Sequence, residues 1–323
     1  MTLESFFRED PWEKIDAPNY PDGGVLFYEK DKRMWAGVDA DHRLVFFIQI
    51  EGKHRPEVID GFNGASVSIE NFATWSRFVV KLEDIELKDK FIIATKSLAY
   101  NLSKETDQNI FNSAKQELKE WSGFLRPGGG KLGREELIGL WGELYILKNF
   151  MLALHPLTNA VRYWIGPRDK KQDFSMTNLA IETKTTMSGD DAVIKISSKE
   201  QLEKITEKLY LAQVFINEGN DEEGTSIQDF YDDLSHQMTT DLASQIEFEK
   251  KISRFMSKAT ENELNQKFIF LNLKIYDVND NFPKITRAEI GDNAITTVRY
   301  SIESNQLGDF IIDRDITDII QDG

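Results

Sequence analysis

The chain has 323 residues, 40% of them apolar and 29% charged, which is ordinary for a globular protein and long enough for two domains. It contains no cysteine, which excludes disulfides, thiolate metal sites and cysteine nucleophiles and favours a reducing, cytoplasmic location. Its net charge of −16 argues against a free-standing, tight DNA binder, since such proteins are normally basic.

Residues 1–126 are predicted to form a β-rich domain that ends in two helices. Strand composition interrupted by turn residues predicts five strands, at 24–29, 35–39, 44–49, 65–69 and 77–81. Helical periodicity follows over 87–103 and 107–122. The Pro-Gly-Gly-Gly run at 127–130 then breaks the chain, and we place the first domain boundary there.

A long helix is predicted at about 133–154, at the start of a second domain that covers 127–220. The helix is apolar nearly all round, so it should be buried. Glu143 interrupts its apolar run, and a buried acid costs free energy unless it is paired or binds a cation. Two interpretations stay open: Glu143 lies on a narrow solvent-exposed face of the helix, or it is directed at a metal site.

A short strand is expected at 161–166, and the segment 173–185 has the pattern of a hairpin. Strand residues two apart point to one face, which places Glu182 beside Lys184. A turn at Thr177-Asn178 would bring Asp173 near Glu182. Two acids that can share a hard cation, with a lysine beside them, suit metal-assisted phosphodiester hydrolysis.

The remaining elements complete this domain and form an α/β extension over 221–323 that packs on it. A strand at 192–196 precedes a helix to about 208, for which Ser197 or Ser198 can serve as the N-cap. A strand at 209–216 leads into an acidic loop at 217–224. Helices are then expected at 226–239 and 240–257, and strands at 268–276, 298–302 and 310–312.

This order of elements resembles the PD-(D/E)xK nuclease superfamily over about residues 133–217. It is most similar to a family of uncharacterised restriction-associated and phage-defence-associated members. The matching stretches are Gly139-Leu140-Trp141-Gly142-Glu143-Leu144, Trp164-Ile165-Gly166-Pro167, Asp173-Phe174, Ile181-Glu182-Thr183-Lys184 and Ile196-Ser197-Ser198 with Gln201-Leu202. Gln172 stands where the motif has proline, a common replacement, so only the carboxylate of Asp173 is expected to matter. The resemblance implies an α+β fold with an αβββαβ core like that of restriction endonucleases.

The resemblance also implies roles for the hairpin residues. Asp173 and Glu182 would hold Mg²⁺, with Mn²⁺ as a substitute, and the backbone carbonyl of Thr183 could be a further ligand. Glu143 would complete the acidic cluster directly or through water. Lys184 would orient or help to deprotonate the attacking water and offset charge on the scissile phosphate. Which group accepts the proton of that water stays open.

Residues at the start of the following helix are candidates for substrate binding. Ser198 and Gln201 could contact the phosphate or position Lys184, and Lys199 lies between them. Further basic residues cluster nearby in sequence: Arg162, Arg168, Lys170, Lys171 and Lys195. They could be solvated surface charges or a local patch that faces phosphate, and both interpretations stay open.

Charge is unevenly distributed. Residues 101–200 hold 14 basic and 13 acidic residues, whereas 201–323 hold 12 basic and 24 acidic ones. The leading hypothesis is a Mg²⁺-dependent DNA endonuclease that needs partners, which the resemblance implies to be ATPase, helicase or methyltransferase subunits of a restriction or defence system. The alternative is a catalytically inactive interaction subunit with a nuclease fold, which docks partner proteins or DNA ends. An RNA substrate is not excluded.

No apolar run reaches 18 residues and no signal peptide is evident, so we expect no membrane span.

Overall fold

The computed structural model describes residues 9–59, 64–121, 132–167, 172–188, 193–220, 222–238, 241–256, 258–286, 290, 295, 297–321 and 323. The chain forms two compact units, residues 1–130 with 253–258, and residues 131–252 with 259–323. The expected chain break at 127–130, and the basic residues Arg168, Lys170 and Lys171, lie outside the described residues. The proposed boundaries at 126 and 220 stay predictions.

The first unit is built on one antiparallel sheet with the strand order β1-β2-β3-β6-β5-β4. Its strands are β1 (Val25–Tyr28), β2 (Asp31–Val38), β3 (Leu44–Glu51), β4 (Glu57–Ile59), β5 (Ala65–Asn71) and β6 (Trp75–Leu82). Strand β4 was not predicted, because it has three residues and none of them is buried. Helices α1 (Lys88–Leu102) and α2 (Ile110–Trp121) follow as expected. Helix α2 packs on the sheet, where the ring of Phe111 lies 5.7 Å from that of Phe78.

The second unit contains a four-stranded mixed sheet with the order β11-β10-β8-β7 and a separate two-stranded sheet of β9 and β12. Its strands are β7 (Phe174–Ser175), β8 (Leu179–Met187), β9 (Val193–Ile196), β10 (Lys208–Glu218), β11 (Phe268–Asp277) and β12 (Tyr300–Glu303). Strand β8 is antiparallel to β7 and parallel to β10. It is buried along most of its length, as expected of an inner strand covered on both faces.

In the described part of the chain, these sheets are accompanied by helices α3 (Arg134–Ile146), α4 (Leu157–Tyr163), α5 (Ile227–Gln237), α6 (Leu242–Met256), α7 (Glu261–Leu264) and α8 (Ile316–Gln321). A π-helical segment, Leu147–Met151, and a last turn, Leu152–Leu154, prolong α3. Within the described part of the chain, Arg134–Leu154 is the one helical run long and apolar enough to cross a membrane. Half of its most apolar window is buried, and α3 packs against β8 and α5, as a core helix does.

The α+β class is confirmed, but three predicted elements are wrong. Of the expected strand at 161–166, residues 161–163 are instead the end of α4, which begins after Pro156, a residue that readily precedes a helix, and Trp164 forms a single bridge with Phe174. The expected helix at 198–208 is a single 3₁₀ turn, Lys199–Leu202, because the chain returns to extended geometry at Glu203. The segment 310–312 pairs only at Ile311, opposite Tyr276. The αβββαβ core is therefore present with its second helix reduced to a turn and its third strand, β9, in the separate sheet.

Candidate active site

Strand β8 places Glu182 and Lys184 side by side on one face, as their spacing predicts. The Nζ atom of Lys184 lies 2.7 Å from Oε1 of Glu182. The Glu182 side chain is completely buried, and that of Lys184 is 17% exposed. The pair therefore sits at the inner end of a site that reaches solvent through the lysine.

The hairpin of β7 and β8 brings Asp173 to the same place. The amide of Met176 donates to the carbonyl of Leu179 at 2.8 Å and closes the turn predicted at Thr177-Asn178. Directly before β7, the carboxylate of Asp173 accepts a hydrogen bond of 2.7 Å from the backbone N–H of Thr183. This bond fixes Asp173 opposite the segment that carries Glu182 and Lys184.

Helix α3 supplies Glu143 to this group. It touches β8 at Gly142, where a Cβ atom would overlap Oγ1 of Thr185, so only a glycine permits this approach. Glu143 follows directly and is buried, and its Oε2 accepts a hydrogen bond of 2.8 Å from Nε1 of Trp164. The structure therefore places Glu143 as a buried acid beside the hairpin and not on a solvent-exposed face of the helix.

Burial and the neighbouring charges shift the pKa values of these four side chains. Burial raises the pKa of Asp173 to about 6, although Lys184 and the Thr183 amide oppose the shift. Burial, and then repulsion by Asp173, raises the pKa of Glu182 to about 8. Burial and the same repulsion hold the pKa of Glu143 well above its ordinary value.

Lys184 responds in the opposite sense. Burial by itself would lower the pKa of its ammonium group, but the carboxylates, Glu182 foremost and then Asp173, outweigh that effect and leave the pKa raised. Lys184 is thus held in the protonated form. The buried Glu143 and Glu182 and the half-buried Asp173 outnumber the one ammonium group, so the site carries excess negative charge when the acids ionise, which favours a cation.

The donor atoms of this site suit a hard divalent ion. Both oxygens of Glu182 are buried, and neither accepts a well-formed hydrogen bond from a described residue, so Oε1 has only its ion-pair contact with Lys184. In their present positions, no three Asp, Glu or His side chains among the described residues converge closely enough to surround one ion. Carboxylates and a backbone carbonyl fit Mg²⁺ by chemistry, and Oε2 of Glu182 has no hydrogen-bond partner among the described residues.

The 3₁₀ turn Lys199–Leu202 reaches the site through Gln201. Its Oε1 accepts hydrogen bonds from Nζ of Lys184 at 3.1 Å and from the backbone N–H of Ser197 at 2.9 Å. The hydrogen bond between Lys184 and Gln201 is therefore consistent with the prediction that Gln201 positions Lys184. Ser198 and Lys199 belong to the same turn region and are each about 8% exposed. Their substrate-binding roles, and the carbonyl of Thr183 as a metal ligand, stay predictions.

Two residues of the site were not identified from sequence. Trp164 lies within a stretch that matches the family motif, but no spacing rule connects it to Glu143. Lys251 holds its backbone in place, because Nζ of Lys251 donates to the carbonyls of Trp164 and of Val161, the latter at 2.8 Å. Gln172 was set aside as a replaced proline, yet its side-chain amide binds the 3₁₀ turn. Only tertiary contacts reveal either role.

Comparison with known proteins identifies the family of the chain. A family model described as "Putative PD-(D/E)XK family member, (DUF4420)" matches residues 9–304, a range that includes all four side chains of the cluster. No curated protein and no solved structure matches the chain.

Proposed function

This chain belongs to the DUF4420 family of PD-(D/E)XK proteins, which has a nuclease-like fold, and from that premise we propose that it is a Mg²⁺-dependent endonuclease of DNA. The observation that supports the proposal best is the meeting of Asp173, Glu182 and Lys184 on one hairpin with Glu143 from α3. Acids gathered around an ammonium group are the components that metal-assisted phosphodiester hydrolysis requires.

Each residue has a defined task in this reaction. Asp173 and Glu182 would hold the ion, with Glu143 and the carbonyl of Thr183 completing the set. The ion, when bound, supplies Lewis acidity and lowers the pKa of a coordinated water. Lys184 stays protonated between the acids, so it suits the orientation of that water and the neutralisation of charge on the phosphate better than proton abstraction.

Substrate contact is assigned to the 3₁₀ turn beside the site. Gln201 orients Lys184, and Ser198 and Lys199 would contact the phosphate backbone of DNA. The ammonium group of Lys199 adds positive charge where the chain carries nearly equal numbers of acidic and basic residues.

The charge of residues 201–323 bears on partners. With 24 acidic and 12 basic residues, this segment repels DNA and suits a basic protein surface. We therefore place the protein in the cytoplasm as a subunit of a bacterial restriction or phage-defence system, beside an ATPase or helicase or a methyltransferase.

A second function is a catalytically inactive subunit that uses the nuclease fold to dock partners or DNA ends. Two observations favour it. Lys184 already forms an ion pair with Glu182 at 2.7 Å, and no three candidate ligands converge in the described residues as they stand. The acidic C-terminal segment would serve docking in this case as well.

Plasmid cleavage with Mg²⁺ or Mn²⁺ tests the first proposal, with Asp173→Ala and Lys184→Ala as loss-of-function variants. Asp232→Ala is the matched control, because Asp232 is an exposed acid on α5 that pairs with Gln228. Loss of cleavage in both site variants but not in the control supports the nuclease, and equal cleavage by all variants rejects the site. Calorimetry separates the two functions, since a protein that binds neither ion, alone or with DNA, is the docking subunit.

A further inference from the structure

We infer that Gln172 is a positioning residue: its side-chain amide holds the turn that carries Gln201 and thereby orients Lys184. The inference deepens the nuclease proposal and rests on it for the activity measurement alone. It also gives a reason for the glutamine that precedes Asp173 in this chain.

The contacts of Gln172 are concentrated on one short segment. Its Nε2 donates to the carbonyls of Glu200 at 2.9 Å, Gln201 at 3.1 Å and Glu203 at 2.9 Å. The residue is 1% exposed, so water cannot replace these bonds. The two N–H groups of one amide thus reach three carbonyls of this short segment, with one N–H shared between two of them.

The turn depends on such support because it is short. A 3₁₀ turn of four residues has little stability of its own, and its closing bond, from the amide of Glu203 to the carbonyl of Glu200, is long at 3.4 Å. Gln201 projects from this turn and reaches Lys184 at 3.1 Å. Displacement of the turn by about 1 Å would break that bond, which leaves Lys184 held by Glu182 alone.

The donor half of the amide is what this position uses. Oε1 of Gln172 is buried and accepts no hydrogen bond from a described residue. A side chain of similar size without N–H groups, such as methionine, would keep the packing but release the turn. Asp173 follows Gln172 directly. This dipeptide therefore supplies one acid of the cluster and the side chain that holds Gln201, the partner of Lys184.

A double-mutant cycle tests this route from Gln172 through Gln201 to Lys184. Gln172→Met, Gln172→Ala, Gln201→Ala and the double variant Gln172→Met/Gln201→Ala are compared with wild type. Gln228→Ala is the matched control, since its Nε2 donates to Asp232 at 2.8 Å on the exposed face of α5. The first measurement is the rate at which acetic anhydride labels Lys184, followed by peptide mass spectrometry. It requires no enzymatic activity.

The expected result is that each Gln172 or Gln201 variant raises Lys184 labelling at least threefold, and that the double variant labels no faster than Gln201→Ala. Wild-type labelling in a folded Gln172→Met protein overturns the inference, as does a double variant whose rate is the product of the single effects. The labelling rate of Gln172→Ala is interpreted only if that variant unfolds cooperatively, because alanine leaves a cavity. Gln172→Met preserves the packing. Single-turnover DNA cleavage should fall about tenfold with the same non-additivity. If wild type cleaves no DNA, the nuclease proposal fails, but the labelling cycle still decides the role of Gln172.

Discussion

Gly142 on helix α3 lies directly against Thr185 on strand β8, with no space for a side chain between them. A Cβ atom at Gly142 would overlap Oγ1 of Thr185 and lie 3.2 Å from its Cβ. Since Glu143 is the next residue, this contact sets how close its carboxylate comes to the acids of the hairpin. Helix packing and the candidate chemistry are thus coupled at one position.

Gly142→Ala should therefore destabilise the protein by about 1–3 kcal/mol, the usual cost of overpacking, and weaken divalent-ion binding as Glu143 moves away. Gly139→Ala is the control from the same helix. A Cβ atom there meets open space, so alanine should stabilise the helix by about 0.5–1 kcal/mol. Urea unfolding and calorimetry measure both effects. Equal stability of the two variants would contradict the close approach of α3 to β8.

Trp164→Phe should weaken ion binding through Glu143. The indole N–H stabilises the ionised carboxylate, so its loss raises the pKa of Glu143 further and costs about 1–3 kcal/mol of stability. Trp141→Phe is matched to it, because Nε1 of Trp141 donates to the backbone carbonyl of Thr225 at 2.7 Å, away from the acids. Manganese titration by calorimetry should show a lower affinity in Trp164→Phe alone. The same affinity in both variants would remove Glu143 from the ion site.

Local sequence rules predicted the part of the site that lies within one hairpin. A period of two placed Glu182 beside Lys184, and a turn at Thr177-Asn178 placed Asp173 opposite them. Both relationships involve residues fewer than a dozen positions apart, where backbone geometry leaves few alternatives.

Contacts between distant segments escaped the same rules. Strand β9 pairs with β12, where Ile194 lies opposite Ile302, rather than with its sequence neighbours. The helix expected after Ser198 is shortened to one turn. Gln172, which precedes β7, donates hydrogen bonds to carbonyls at the end of that turn. Helix propensity carries no information about such a donor, so tertiary bonding overrides it.

The pH dependence of stability follows from two raised pKa values. Asp173, with a pKa of about 6, and Glu182, with a pKa of about 8, bind protons more tightly in the folded protein than in the unfolded chain. Without divalent ions, the stability that these two groups contribute should therefore be greatest below about pH 4, fall between about pH 4 and pH 8, and level off above pH 8. Glu182→Gln should flatten the upper part of this decline. Urea midpoints in EDTA from pH 5 to pH 9 provide the measurement, and a rise in stability over that range in wild type relative to Glu182→Gln would contradict the prediction.

Lys184 should be as important for stability as for chemistry. Lys184→Ala leaves the buried carboxylate of Glu182 without its 2.7 Å partner, which costs about 3–5 kcal/mol when Glu182 is ionised. The loss should be largest above pH 8, where Glu182 is charged, and much smaller at pH 5, where it is neutral. Adding Glu182→Gln to Lys184→Ala removes the unpaired charge, so the double variant should be more stable at pH 9 than Lys184→Ala. Chemical unfolding at pH 5 and pH 9 measures both differences. A Lys184→Ala protein whose loss of stability is the same at the two pH values would show that Glu182 does not depend on this lysine for its charge.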